Sequence, residues 1–277
     1  MKSPAVLARF AASAAVASVA PGSSSASSAP TAKVLLPFVT AGYPTLDATA
    51  AALPALAAAG GAVIEVGIPF SDPIADGPVI AASMHEALVA GCTPERVFAT
   101  VKRVRPTVNA ALMAMVSFSI VQRMGVDRFV GSAADAGFDG VIVPDIDLLD
   151  ARALRAACDA SGIACTLLVA PTTSPERTRK IVAECTGFVY ALSRVGITGE
   201  RAEAPNAQPV VERIRACTAL PVAVGFGIST REHVRAVWQY ADGAIVGSSL
   251  VKRMQRAVAD GTDPVEAAAA FTRELAG

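Results

Sequence analysis

Eight short apolar runs recur along the chain, at residues 34–40, 62–67, 110–116, 140–144, 164–169, 188–192, 221–225 and 243–246. Each reads as a short buried strand closed by a turn. Between them the period changes: residues 46–59, 127–136, 150–161, 175–185, 208–217 and 231–240 return apolar positions every three or four residues, the pattern of amphipathic helices. Alternation at this length, with no break suggesting a second domain, predicts a single α/β domain, a parallel (β/α)8 TIM barrel rather than a doubly wound sheet. On that fold chemistry belongs at the C-terminal ends of the strands.

One strand end carries an acid. Glu65 lies among Val63, Ile64, Val66 and Ile68, and Asp76 follows it on a loop shaped by Pro69, Pro73, Gly77 and Pro78. Burial without a partner disfavours an ionised carboxylate and raises its pKa, as a general acid working near neutral pH requires. Asp76, beside Gly77 and Pro78, is expected to be better hydrated and to stay ionised, as a base or as an acceptor for a substrate N–H. Two carboxylates in unlike environments can divide a proton-transfer job.

Glycines close two later strands. Gly225-Phe226-Gly227-Ile228-Ser229 follows the seventh run, and Gly247-Ser248-Ser249 follows the eighth, ahead of a segment at 250–253 that can begin a helix. In barrels these two loops offer backbone N–H groups and a positive helix end to a phosphoryl group. A single Gly pair is more often a tight turn; two at these strand ends point to phosphate. Residues 193–199, opened by Ser193 and Arg194, lead into a polar, irregular run through Asn206 and read as a lid.

Composition narrows the partners. The 24 Lys and Arg balance 24 Asp and Glu, so there is no basic footprint for nucleic acid. Mean hydropathy is high at +0.48, but the longest uncharged stretches, 10–32 and 48–64, are interrupted by Ser clusters, Pro or Gly pairs and are poor bilayer spans. A soluble, cytoplasmic protein without a membrane partner is expected. Five widely spaced cysteines without close His or Cys companions argue for reduced, mostly buried thiols, not a zinc site or disulfide framework. No metal and no cofactor is expected. Residues 1–32 stand apart as an extension, Ala- and Ser-rich and without an acidic residue, from a catalytic barrel at 33–277. Three readings of the extension compete: a plastid transit peptide, a secretory signal, or a helix over 4–19 followed by a flexible linker over 21–30.

Segments 37–44, 65–78, 143–145, 193–199, 224–229 and 247–248, in this order, resemble the signature segments of the tryptophan synthase alpha chain family, and the likeness covers essentially Lys33 to the C-terminus. The resemblance implies a (β/α)8 barrel that splits indole-3-glycerol phosphate into indole and glyceraldehyde 3-phosphate by a retro-aldol reaction. It also implies a PLP-dependent beta subunit as the receiver of indole in an alpha2-beta2 heterotetramer. By the same resemblance Glu65 is the general acid–base residue and Asp76 the acceptor for the indole N–H. Gly199, Phe226, Gly227, Gly247 and Ser248 match phosphate positions, Phe38 and Tyr190 surround the indole and glycerol moieties, and Thr198 would hydrogen-bond toward Asp76 on lid closure. His85 and His233 match no catalytic position.

Two loops depart from the family. Met115-Val116-Ser117-Phe118-Ser119-Ile120 stands where Met-Thr-Tyr-Tyr-Asn-Pro is common, and Pro144-Asp145-Ile146-Asp147 replaces Pro-Asp-Leu-Pro. Those loops usually face the beta subunit, so Ser119 and Asp147 are expected partner-interface residues on an altered docking surface, and Asp72 matches a family contact position that is retained. A stand-alone lyase releasing free indole is the runner-up. A non-catalytic, phosphate-binding regulatory subunit is the third reading, and it would need neither Glu65 nor Asp76.

Overall fold

The computed structural model describes residues 4–11, 33–72, 76–194 and 206–277. Its strands are β1 (Val34–Thr40), β2 (Val63–Gly67), β3 (Ala111–Met115), β4 (Gly140–Ile142), β5 (Ala164–Thr166), β6 (Leu168–Val169), β7 (Val189–Leu192), β8 (Val222–Gly225) and β9 (Gly243–Val246). They pair in parallel in the order β5-β4-β3-β2-β1-β9-β8-β7-β6. The two ends of that order are halves of one strand. Thr166 pairs with Ile142 of β4, Leu168 pairs with Tyr190 of β7, and only Leu167 lies between, so the sheet has the eight strand positions of a (β/α)8 barrel.

The strands read as continuous apolar runs because both faces are covered. Val34, Leu36, Val63, Met113, Ile142, Ala164, Phe188, Tyr190, Ala223 and Ile245 pack together inside the barrel. Their strand neighbours Leu35, Ile64, Leu112, Val141, Cys165, Val189, Val222 and Ala244 face the helical layer. That layer holds α2 (Leu46–Ala58), α3 (Pro78–Val89), α4 (Pro94–Val104), α5 (Phe118–Met124), α6 (Val126–Ala136), α7 (Leu148–Ser161), α8 (Pro175–Ala183), α9 (Gln208–Arg215), α10 (Arg231–Trp238), α11 (Ser248–Ala259) and α12 (Pro264–Ala276). The segment at 250–253, expected to begin a helix, lies within one that already starts at Ser248.

A further helix, α1 (Pro4–Ala11), closes the other end. Its Val6 and Phe10 are buried in the barrel's interior cluster, the Phe10 ring lies 5.8 Å from that of Phe188, and Arg9 donates to Asn109 Oδ1 at 3.2 Å. The segment expected to be helical over 4–19 is therefore helical over its first part, and the rest of it lies outside the described residues. Two carboxylates stitch the strand starts at this floor. Asp139 accepts from the Leu112 N–H at 2.8 Å and from Arg105 at 3.1 Å; Asp242 accepts from the Val222 N–H at 2.9 Å and from Arg215 at 3.0 Å. No helix among the described residues is long and apolar enough to cross a membrane.

Candidate active site

The mouth of the barrel is organised differently. β2 lies between β1 and β3 with Phe38, Glu65 and Met113 in register, so the Glu65 side chain, one residue along from outward-facing Ile64, turns inward. Its residue exposure is 1%, and neither carboxylate oxygen has a hydrogen-bond partner among the described residues. Burial pushes this carboxyl well above the usual range, which favours its protonated form. An orphaned acid costs about 1–3 kcal/mol or more, and a perturbed acid kept in a cleft is a candidate for chemistry.

Asp76 corrects an expectation. It is half-buried just ahead of α3, and burial raises its carboxyl from 3.8 to about 6. The Gly and Pro around it shape the loop without hydrating the carboxylate, because the apolar walls of the same cleft cover it. At neutral pH it remains ionised, so the two acids still differ in protonation state. Tyr190 on β7 is buried between them in effect: burial, then the charges of Glu65 and Asp76, push its hydroxyl well above its usual range. Gly225 on β8 leaves room for that ring, since a Cβ there would run into the Tyr190 hydroxyl.

These groups line one cavity of about 580 Å³, within the range of roughly 300–1,000 Å³ typical of small-molecule sites. Phe38, Tyr190, Glu65 and Asp76 share it with Phe226, Gly227, Gly247 and Ser248. Ser248 is the first residue of α11, whose opening N–H groups have no partner within the helix. Phe226 and Gly227 both have positive φ, +78° and +82°. The cavity therefore joins a deeply buried acid, a half-buried acid and a helix start suited to an anion. Thr198 and Gly199 lie outside the described residues. Among the described residues no cluster of His, Cys, Asp or Glu is arranged to hold a metal.

The rim residues are also accounted for. Asp72 and Ser119 are exposed and border the cavity. Asp147 caps α7, its carboxylate accepting from Leu149 and Asp150 N–H at 2.7 and 3.1 Å. Ser117 donates to Asp145 Oδ2 at 2.7 Å and the Phe118 N–H donates to Oδ1 at 2.8 Å, so the altered loop after β3 is tied to the Asp145 carboxylate after β4. His85 is exposed, and His233 is buried with Nδ1 near Ser229. Sequence reasoning passed over Met115, Leu168, Leu192 and Ile245, which the period-two alternation of their strands already turned inward, and Ile80 and Met84, which lie on the helix that carries His85.

Known proteins agree with this layout across nearly the whole chain. The family model described as tryptophan synthase alpha chain matches residues 25–277. The tryptophan synthase alpha chain of Methanosarcina mazei is 43% identical over 243 residues, 87% of each chain. A structure of tryptophan synthase from Mycobacterium tuberculosis has a TM-score of 0.80 at 36% identity, covering 88% of this chain and 91% of that one. The alpha subunit from Legionella pneumophila gives 0.81 at 32%, covering 88% and 91%. With sequence and fold in agreement over the entire barrel, this chain belongs to the tryptophan synthase alpha chain family.

Proposed function

We propose that Glu65 and Asp76 divide the work of the family's lyase reaction, the cleavage of indole-3-glycerol phosphate to indole and glyceraldehyde 3-phosphate. The supporting observation is that a buried, unpartnered Glu65 opens onto the same cavity as the turn and helix start suited to phosphate. Breaking the bond at indole C3 needs a proton on that carbon, which makes the ring an electron acceptor. Protonated Glu65 supplies it. The resulting carboxylate then takes the proton from the adjacent side-chain hydroxyl; the C–C electron pair returns to the ring, an aldehyde forms, and Glu65 is protonated again. Asp76, ionised, holds the indole N–H and stabilises the positive charge that develops there. Phe38 and Tyr190 wall the indole and glycerol moieties, Phe226, Gly227, Gly247 and Ser248, with Gly199 from the lid segment, hold the phosphate, and Thr198 of that segment hydrogen-bonds toward Asp76.

The test is direct: the protein converts indole-3-glycerol phosphate to indole, and Glu65→Gln lowers turnover by about 10²–10⁴-fold while inorganic phosphate still binds within several fold. Full turnover in that variant overturns the assignment. The same reading places a beta subunit against Asp72, Ser119 and Asp147, in the cytoplasm, which five free thiols suit. It keeps 33–277 as the catalytic barrel and gives the extension at 1–32 a structural part through α1. Titrating a cognate beta subunit should raise turnover; no rise would favour a stand-alone lyase.

A further inference from the structure

The turn after β8 has a backbone that side-chain-bearing residues rarely adopt, with Phe226 at φ +78° followed by Gly227 at +82°. Such a conformation persists only where the surroundings over-determine it. Two serine hydroxyls do so here. Ser193, in the loop that follows β7, donates through Oγ to the Phe226 carbonyl at 2.8 Å and through its N–H to the Gly225 carbonyl at 3.2 Å. Ser249, 2% exposed in the first turn of α11, donates through Oγ to the Ile228 carbonyl at 3.0 Å. The carbonyls on either side of Gly227 and Ile228 are thus each tied to a different neighbouring loop.

A carbonyl and the N–H of the next residue share one planar peptide and point opposite ways. Pinning the Phe226 carbonyl therefore aims the Gly227 N–H, for which no acceptor exists among the described residues, and pinning the Ile228 carbonyl fixes the exit of the turn. The Ser193 loop also presses on the turn from outside, since a Cβ on Gly227 would meet Arg194 Nη2 at 2.6 Å. Preorganised donors gain their advantage by needing no rearrangement when the anion arrives.

We propose that Ser193 and Ser249 are positioning residues for the phosphate subsite, setting the orientation of the turn's backbone donors without touching the substrate. The proposal rests on the reading of this cavity as the site of a phosphorylated indole. It is tested with Ser193→Ala, Ser249→Ala and Ser193→Thr in the full chain, measuring KM and kcat for indole-3-glycerol phosphate, Kd for inorganic phosphate and Kd for indole. Each alanine variant should raise KM and the phosphate Kd about 5–10-fold, the value of one ordinary hydrogen bond, with kcat within about twofold by the same reasoning. Indole binding should be unchanged, and Ser193→Thr should restore most of the phosphate affinity. Unchanged phosphate affinity in both alanine variants, or an equal loss of indole affinity, overturns the proposal. If the wild-type chain turns over no substrate and binds no phosphate, the reading of the cavity fails, and this inference falls with it.

Discussion

At the floor of the barrel Asp139 and Asp242 each accept from one backbone N–H near the start of a strand and from an arginine, Arg105 in one case and Arg215 in the other. At the mouth, on the same sheet, Glu65 accepts from nothing among the described residues. The floor uses its acids to end the sheet without orphaned backbone groups, a stabilising role. The mouth leaves an acid unsatisfied, a cost that makes sense where the missing partner is a substrate. A barrel can hold both because its ends are separated by a packed interior: Val6 and Phe10 of α1 and Phe188 fill the floor, while the upper interior opens into the cavity around Tyr190.

Matched substitutions test this contrast. Glu65→Gln should remove nearly all turnover and leave the thermal midpoint unchanged or higher, because no partner is lost. Asp242→Asn should do the reverse, costing about 1–3 kcal/mol by weakening its bonds to Val222 and Arg215 while kcat/KM per folded molecule stays near wild type. Equal effects of the two on stability would erase the distinction between the ends. Phe10→Ala, which empties the floor, should cost more stability than Asp242→Asn: a loss of about 3–5 kcal/mol is expected, read by urea denaturation, again with active-site chemistry intact in the folded fraction. A loss under about 1 kcal/mol, the range of a surface substitution, would mean that α1 only covers the barrel without supporting it.

How far the contrast was legible in sequence differs between the ends. The strands were legible because both faces are buried, and Glu65 stood out as an acid within such a run. The floor stitching was not: Asp139 and Asp242 are single polar residues at strand starts, and no periodicity marks them. Phe10 was visible only as a lone aromatic among small residues, which a linker or a leader could equally carry. α4 and α12 were missed although Thr93 and Asp263 cap them and Pro94 and Pro264 open them, a start signal that does not depend on the apolar stripe. α3 offered less, since its alanines blur any stripe. The environment of Asp76 was misjudged for a different reason: local Gly and Pro predict the path of a loop, whereas burial depends on what the fold packs against it.

The smallest effect expected is the pH response of Asp76, and it runs in opposite directions for activity and stability. Burial raises the carboxyl from 3.8 to about 6, so in the folded chain it binds its proton more tightly than in the unfolded one. Between those values the folded state carries more protons, and stability therefore falls as pH rises through that window. In the proposed mechanism the ionised form holds the indole N–H, so kcat/KM should rise with pH to a plateau above about 6 and drop about tenfold per unit below it. At higher pH a second limb should appear as Glu65, raised well above its usual range, loses the proton it must donate. Asp76→Asn should abolish the acid limb of the residual activity and flatten the corresponding fall in stability, while the floor carboxylates are untouched. An acid limb centred near pH 4 would instead describe a hydrated Asp76, and the mouth would then hold one perturbed carboxylate where two are argued.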